Sequence, residues 1–166
     1  MVIDPLSSGD RVQLLEVYAR SVMLLELGRC AEWANLFAPQ AAFRYVRANE
    51  TSPVEFRGRE ELLALGQRLM RGEFDLALGN VAVSPLRARH HLSNVTLFGG
   101  GHGQASGYAF LTVATIGGTE PPRWLASGMY SDSLFKNPAG CWCFESRTFT
   151  ADPAVIPVRA ARAASY

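Results

Sequence analysis

The chain predicts an α+β fold in which N-terminal helices close one side of a curved, antiparallel or mixed sheet into a cone. Three observations carry that expectation. Apolar residues recur at helical spacing only before Gly72. From about Leu86 onward the chain changes to long runs rich in β-branched and aromatic residues. Two of the breaks between those runs, Gly99 to Gly103 and Asn137 to Gly140, have the composition of hairpin turns.

The elements can be justified in order. Asp10 is placed to start the first helix, with Gln13 three residues later as a capping-box partner and Leu14, Val17, Tyr18, Val22 and Leu25 forming an apolar face. Gly28 ends or bends that helix, and Cys30 to Phe37 form a second short helical stretch stopped by Pro39. Ala41 to Val46 reads as a strand, and Asn49 to Pro53 as a polar loop. Gly58 to Met70 is the second long helix, burying Leu62, Leu63, Leu65 and Leu69, with Gly72 at its end. A strand ending near Phe98 should then pair with Ala105 to Ile116 across the glycine run. Gly117 to Pro122 connects to the last hairpin, Trp124 to Phe135 and Cys141 to Phe149. No internal repeat is present, so residues 1–152 are expected to form one domain followed by an Ala-, Arg- and Pro-rich tail, 153–166.

Composition narrows the function. At 166 residues the chain can bury a substantial core, and 48% hydrophobic against 19% charged residues is the balance of a folded protein. The 16 Lys and Arg against 15 Asp and Glu leave a formal charge of +1, too little to draw nucleic acid or an anionic membrane by a global field. Cys30, Cys141 and Cys143 are too few and too unevenly spaced for a disulfide framework or a Cys-x-x-Cys metal site, and buried small hydrophobes are the expectation. Neither a signal segment nor a bilayer-length apolar run is visible, so a cytoplasmic location is expected. With no His-x-x-His pattern and no glycine loop opening a helix, no metal and no cofactor is expected.

The feature richest in chemistry is Arg87-Ala-Arg-His-His-Leu-Ser-Asn94. Two adjacent histidines in a strand must point to opposite faces. His90 would share its face with Ala88, Leu92, Asn94 and Thr96, whereas His91 would lie with Arg87, Arg89, Ser93 and Val95. The first set is the more plausible pocket wall, and an imidazole with a reference pKa near 6.5 suits proton transfer around neutrality.

Several separated pieces resemble the nuclear transport factor 2-like superfamily and, within it, the SnoaL-like group. They are Glu32 to Pro39, Phe56 to Leu62, Arg89 to Asn94, Gly128 to Asp132 and Trp142 to Arg147, in an order that covers most of the chain. The resemblance implies the cone fold. It brings dehydratases, ketosteroid-type isomerases, polyketide cyclases and the small subunits of ring-hydroxylating dioxygenases into view, which share no single chemistry. Enzymes of the group commonly pair an acid near the end of the first helix with a histidine on a cone strand. Through the positions of Gly28 and Trp33 that acid falls on Glu26, one methylene longer than the usual Asp, while Arg29 and Gln40 stand where related enzymes often carry Asp.

The expected function is therefore cofactor-independent acid/base catalysis, of lyase or isomerase type, on a hydrophobic oxygenated small molecule. His90 would move the proton and Glu26 would orient and charge-stabilise it, whereas the bland alternative is a solvated Glu26 and a satisfied core histidine. Asn94 is expected to bind a substrate oxygen or a backbone group, and Tyr18, Phe43, Tyr108, Trp124 and Tyr130 to line the pocket. In the last hairpin a turn centred on Pro138-Ala139 would set Lys136 opposite Cys141, Asp132 opposite Glu145 and Tyr130 opposite Arg147, a charge cluster with Arg147 diagonal to Asp132. A shared proton between Asp132 and Glu145 is the functional alternative. The resemblance also implies a homodimer through the sheet face opposite the helices. The competing function is a non-catalytic binding or assembly subunit similar to the dioxygenase small subunits.

Overall fold

The computed structural model describes residues 6–48, 52–71, 88–116, 121–122 and 124–153. Helix α1 (Ser8–Glu26) leads through the short α2 (Cys30–Ala34) into β1 (Phe37–Val46), β2 (Val54–Arg57) and helix α3 (Gly58–Arg71). Four strands follow: β3 (Ala88–Gly101), β4 (Gln104–Thr115), β5 (Trp124–Lys136) and β6 (Trp142–Ala151). They form one unclosed six-stranded sheet in the order β2-β1-β6-β5-β4-β3, parallel only where β1 meets β6. Strand β3 is an outer edge. The tail beyond 153, Gly72 and most of the 117–122 connection lie outside the described residues.

The first helix starts earlier than its periodicity predicts. Ser7, not Asp10, is the N-cap: its hydroxyl accepts the Asp10 N–H at 3.0 Å and donates to the Asp10 carboxylate at 2.7 Å. Asp10 is thereby free to take Lys136 Nζ at 2.7 Å and the Trp142 indole N–H at 2.9 Å, which ties the start of α1 to the last hairpin. Those donors hold the Asp10 carboxyl at about 2, below its ordinary 3.8.

Pro39 also behaves differently from expectation. It lies inside β1, in a stretch where pairing with β6 skips between Phe37 and Ala42, so its missing N–H interrupts no ladder bond there. The helical stretch accordingly ends at Ala34 rather than Phe37. Strand β2, in a stretch to which the sequence assigns no element, is a four-residue edge strand against β1, and α3 begins at Gly58 as expected. The β3–β4 connection is shorter than the glycine run implies. Gly101 pairs with Gln104, and His102 and Gly103 make a two-residue turn with φ of 49° and 73°.

The core fills the space between the helices and one sheet face. Leu14 and Tyr18 of α1, Trp33 of α2, and Leu62 and Leu65 of α3 pack with Phe37, Leu134 and Phe144, all at most 1% exposed. Gly66 brings α3 within reach of Trp33, where a Cβ would lie 3.2 Å from the indole. The opposite sheet face carries exposed Phe98, Tyr108, Phe110 and Met129.

Candidate functional site

Glu26 is the last residue of α1, and α1 packs against β3. Because β3 is an edge strand, the His90 N–H points away from β4 toward open space, and the Glu26 carboxylate fills that space. Its Oε1 accepts the His90 backbone N–H at 2.6 Å and lies 3.4 Å from Nδ1 of the same residue. Its other oxygen, Oε2, takes Arg89 Nε at 2.8 Å. The carboxylate is 13% exposed and the imidazole 26%, so both are shielded but reachable.

His90 pairs with Val113 and Leu92 with Leu111 on β4, placing the imidazole on the apolar, helix-facing side of the sheet. Burial holds the His90 pKa below 6.5, opposed by the charge and hydrogen bond of Glu26. The ring is therefore neutral at neutral pH. With its proton on Nδ1, directed at Glu26, the lone pair of Nε2 is available to accept a proton. His91 faces outward and His102 sits in the exposed β3–β4 turn.

Asn94 does not share this face. A bulge between Ser93 and Thr96 puts Asn94 at φ 52° and exposes it, while Val95 and Leu97 turn inward in its place. One inserted residue reverses the alternation beyond it. Two of the expected pocket aromatics are likewise displaced. Tyr108 pairs with Thr96 on the outer face and is 43% exposed, and Trp124 at the start of β5 is 75% exposed. Tyr18, Phe43 and Tyr130 do lie on the helix-facing side, within the packed core.

Tyr18 and Tyr130 surround a second charged cluster. Asp132 stands opposite Arg147, not Glu145, because Glu145 is the extra residue of a bulge between Ser133 and Leu134. The turn contributes too: Asn137 N–H donates to Cys141 O and Gly140 adopts φ 80°, so Lys136 pairs with Trp142 rather than Cys141. Arg147 grips Asp132 with two parallel bonds of 2.9 Å and donates to Ser21 Oγ at 3.1 Å. Its guanidinium lies 3.9 Å from the Phe144 ring and 4.1 Å from that of Tyr130. Burial works against this cation, yet the Asp132 carboxylate outweighs it and keeps Arg147 charged. Glu145 is exposed and takes no part, so no proton is shared between two acids here.

Tyr18 extends the cluster. Its hydroxyl occupies the place that a side chain at position 107 would need, since a Cβ on Gly107 would lie 2.4 Å from it. Burial, followed by the charge of Asp132, raises the Tyr18 pKa, so the phenol stays protonated.

A separate open groove of about 580 Å³ runs between α2, the last turn and the half of α1 remote from Glu26, lined by Gln13, Arg20, Asn35 and Cys141 among others. Cys141 is exposed and Cys143 half-buried, so of the three thiols only Cys30 is the buried hydrophobe expected. Among the described residues no three His, Cys, Asp or Glu gather where they could hold a metal ion, and no helix is long and apolar enough to cross a membrane.

Sequence reasoning missed Arg89, which alternation assigns to the His91 face. The signal available was its length: on an edge strand a long side chain can fold around the sheet to the neighbouring face. Ser21 was missed because a small polar residue on a helix face has no signature of its own.

Comparison with known proteins agrees with this architecture. The family model described as a SnoaL-like domain matches residues 7–148. A protein of unknown function with a cystatin-like fold from Nostoc punctiforme superposes with a TM-score of 0.69 at 21% identity, covering 92% of this chain and 98% of that one. A protein provisionally named a scytalone dehydratase, from Novosphingobium aromaticivorans, gives 0.63 at 17% identity, with 86% and 84% covered. The β subunit of a provisionally assigned aromatic-ring-hydroxylating dioxygenase from the same organism gives 0.66 at 18%, with 87% and 90% covered. No curated protein matches the sequence. At these identities the structural likenesses establish the fold.

Proposed function

The chain belongs to the SnoaL-like family, and from that premise we propose that it is a cofactor-independent lyase or isomerase acting on a hydrophobic, oxygenated small molecule. One observation carries the reading: a half-buried, neutral imidazole, His90, whose Nδ1 faces the Glu26 carboxylate. His90 Nε2 removes the proton from the carbon beside a carbonyl, Glu26 stabilises the imidazolium formed, and the proton returns to the departing hydroxyl. Carbon–hydrogen and carbon–oxygen bonds break, a carbon–carbon double bond forms, and water leaves. In an isomerase the same proton returns to a different carbon. Proton transfer of this kind contributes about 10² to 10⁴ in rate.

The test is turnover of hydroxylated cyclic ketones, followed by loss of water and by exchange of the α-proton with D₂O. His90→Ala should abolish both while leaving the thermal transition in place. Unchanged exchange in a folded His90→Ala protein removes the assignment.

Two further parts of the reading concern the setting. The exposed row of Phe98, Tyr108, Phe110 and Met129 supports a homodimer through the outer sheet face. A monomeric mass at micromolar concentration contradicts it. Three free cysteines suit a reducing, cytoplasmic compartment, which fractionation of the native host checks.

A second reading has its own observation. Both Glu26 oxygens are engaged, one by a backbone amide and one by Arg89, as in a purely structural brace. On that reading the chain is a non-catalytic binding or assembly subunit, and a partner chain retained through purification from the native host, with no turnover by the isolated protein, selects it.

A further inference from the structure

Arg89 and His90 are consecutive, and both grip the same carboxylate. Alternation along β3 sends the two side chains to opposite faces, yet β3 is the sheet edge and Glu26 lies against that edge. The guanidinium therefore reaches the carboxylate from one side, at Oε2, while the amide and imidazole of His90 approach Oε1. We propose that Arg89 is a positioning residue of this site, acting on His90 through Glu26. The proposal rests on the reading of His90 as the acid/base group, and it identifies what sets that group's proton affinity.

A carboxylate held at Oε1 alone can rotate about its last bond, and Nδ1 at 3.4 Å is too distant to restrain it. The charge-assisted bond from Arg89 Nε at 2.8 Å pins Oε2, which leaves Oε1 aimed at both groups of His90. That arrangement favours the tautomer with the proton on Nδ1 and the lone pair on Nε2. The same bond also bears on the charge of the ring. An unpaired carboxylate beside a shielded imidazole favours the charged ring. By pinning Oε2, Arg89 keeps the carboxylate from closing on the ring beyond its 3.4 Å separation from Nδ1, so burial prevails and the ring remains a free base.

The charges bearing on His90 among the described residues are those of Glu26, from α1, and His91, from β3 itself, while its partner across the ladder on β4, Val113, carries none. Arg89 is half exposed, and its nearest anionic group is Glu26, so its influence on the ring passes through that carboxylate.

NMR titration of the His90 ring in the intact protein tests this without a substrate, the signal being assigned by its loss in His90→Asn. Arg89→Gln should shift the His90 pKa upward and broaden the tautomer equilibrium seen in the ring nitrogen shifts. Arg89→Lys, which keeps the charge, should return most of the shift. In a Glu26→Gln background, Arg89→Gln should leave the His90 pKa where Glu26→Gln alone puts it. An unmoved pKa in Arg89→Gln overturns the proposal, and so does an equal upward shift in the Glu26→Gln background, which would mean direct repulsion of the ring. If Arg89→Gln fails to fold, the Arg89→Lys and Glu26→Gln/Arg89→Lys proteins carry the same comparison, with a smaller upward shift expected only where Glu26 is intact. Failure here leaves His90 catalysis standing, whereas unchanged turnover in His90→Ala removes the catalysis and leaves the titration result intact.

Discussion

Two of the carboxylate–guanidinium pairs among the described residues, Asp132–Arg147 and Glu26–Arg89, differ in everything except their chemistry. Asp132 and Arg147 face each other across β5 and β6, form two bonds, and are 0% and 2% exposed. Glu26 and Arg89 meet at the sheet edge through one bond, with the guanidinium half exposed and the second carboxylate oxygen given to a histidine. The first pair is enclosed by Ser21, which takes a bond from the guanidinium, and by three aromatic rings. The second retains an imidazole with a free nitrogen. Burial and completeness make an ion pair structural; partial burial and an unfinished partner make it chemical.

The largest effect should come from breaking the closed pair. Asp132→Asn or Arg147→Leu leaves one buried charge uncompensated and should cost about 3–5 kcal/mol in denaturant unfolding. Removing both partners together, as Asp132→Leu with Arg147→Met, should cost less than either single change. Equal losses in all three proteins would show that packing, not charge pairing, holds this region. The open pair should behave in the opposite way. Glu26→Gln should change stability by about 1 kcal/mol or less, yet lower turnover of an identified substrate by roughly tenfold or more.

The pH dependence sharpens the contrast. Since burial keeps His90 below 6.5, kcat/KM should rise with pH along one acid limb centred below that value and be flat by neutrality. Glu26→Gln removes a charge that favours the imidazolium and should move the limb to lower pH. Stability has a separate acid dependence at Asp10. Its folded pKa of about 2 is below the ordinary 3.8, so its contribution is complete above about 4 and disappears as pH falls through 2. Lys136→Met should flatten that part of the unfolding profile. The smallest effect is at Asn94: because it is exposed on the bulge, Asn94→Ala should cost about 1 kcal/mol for its left-handed backbone and leave turnover unchanged.

The same contrast explains how much of the protein is legible in its sequence. The order of helices and strands follows from periodicity and turn composition, and the division of His90 from His91 follows from alternation near the start of β3. Alternation fails beyond a bulge. One extra residue at Asn94 moves Val95 and Leu97 inward, and another at Glu145, added to the one-residue shift that the turn imposes, replaces the expected Asp132 and Glu145 pair with Asp132 and Arg147. Neither site carries a Gly, so nothing in composition announces them. Tyr108 and Trp124 were misplaced for a related reason, since an aromatic side chain covers either face of a sheet equally well. Arg89 escaped because its contact depends on which strand forms the edge, a property of the whole sheet rather than of its own segment.

The central claim is that the open pair works on protons and the closed pair does not. Exchange of a bound ketone's α-proton with D₂O, compared in the native protein, His90→Ala and a folded Asp132→Leu/Arg147→Met protein, tests it most directly. The account predicts exchange in the first and third and none in the second. Exchange that survives in His90→Ala would contradict it.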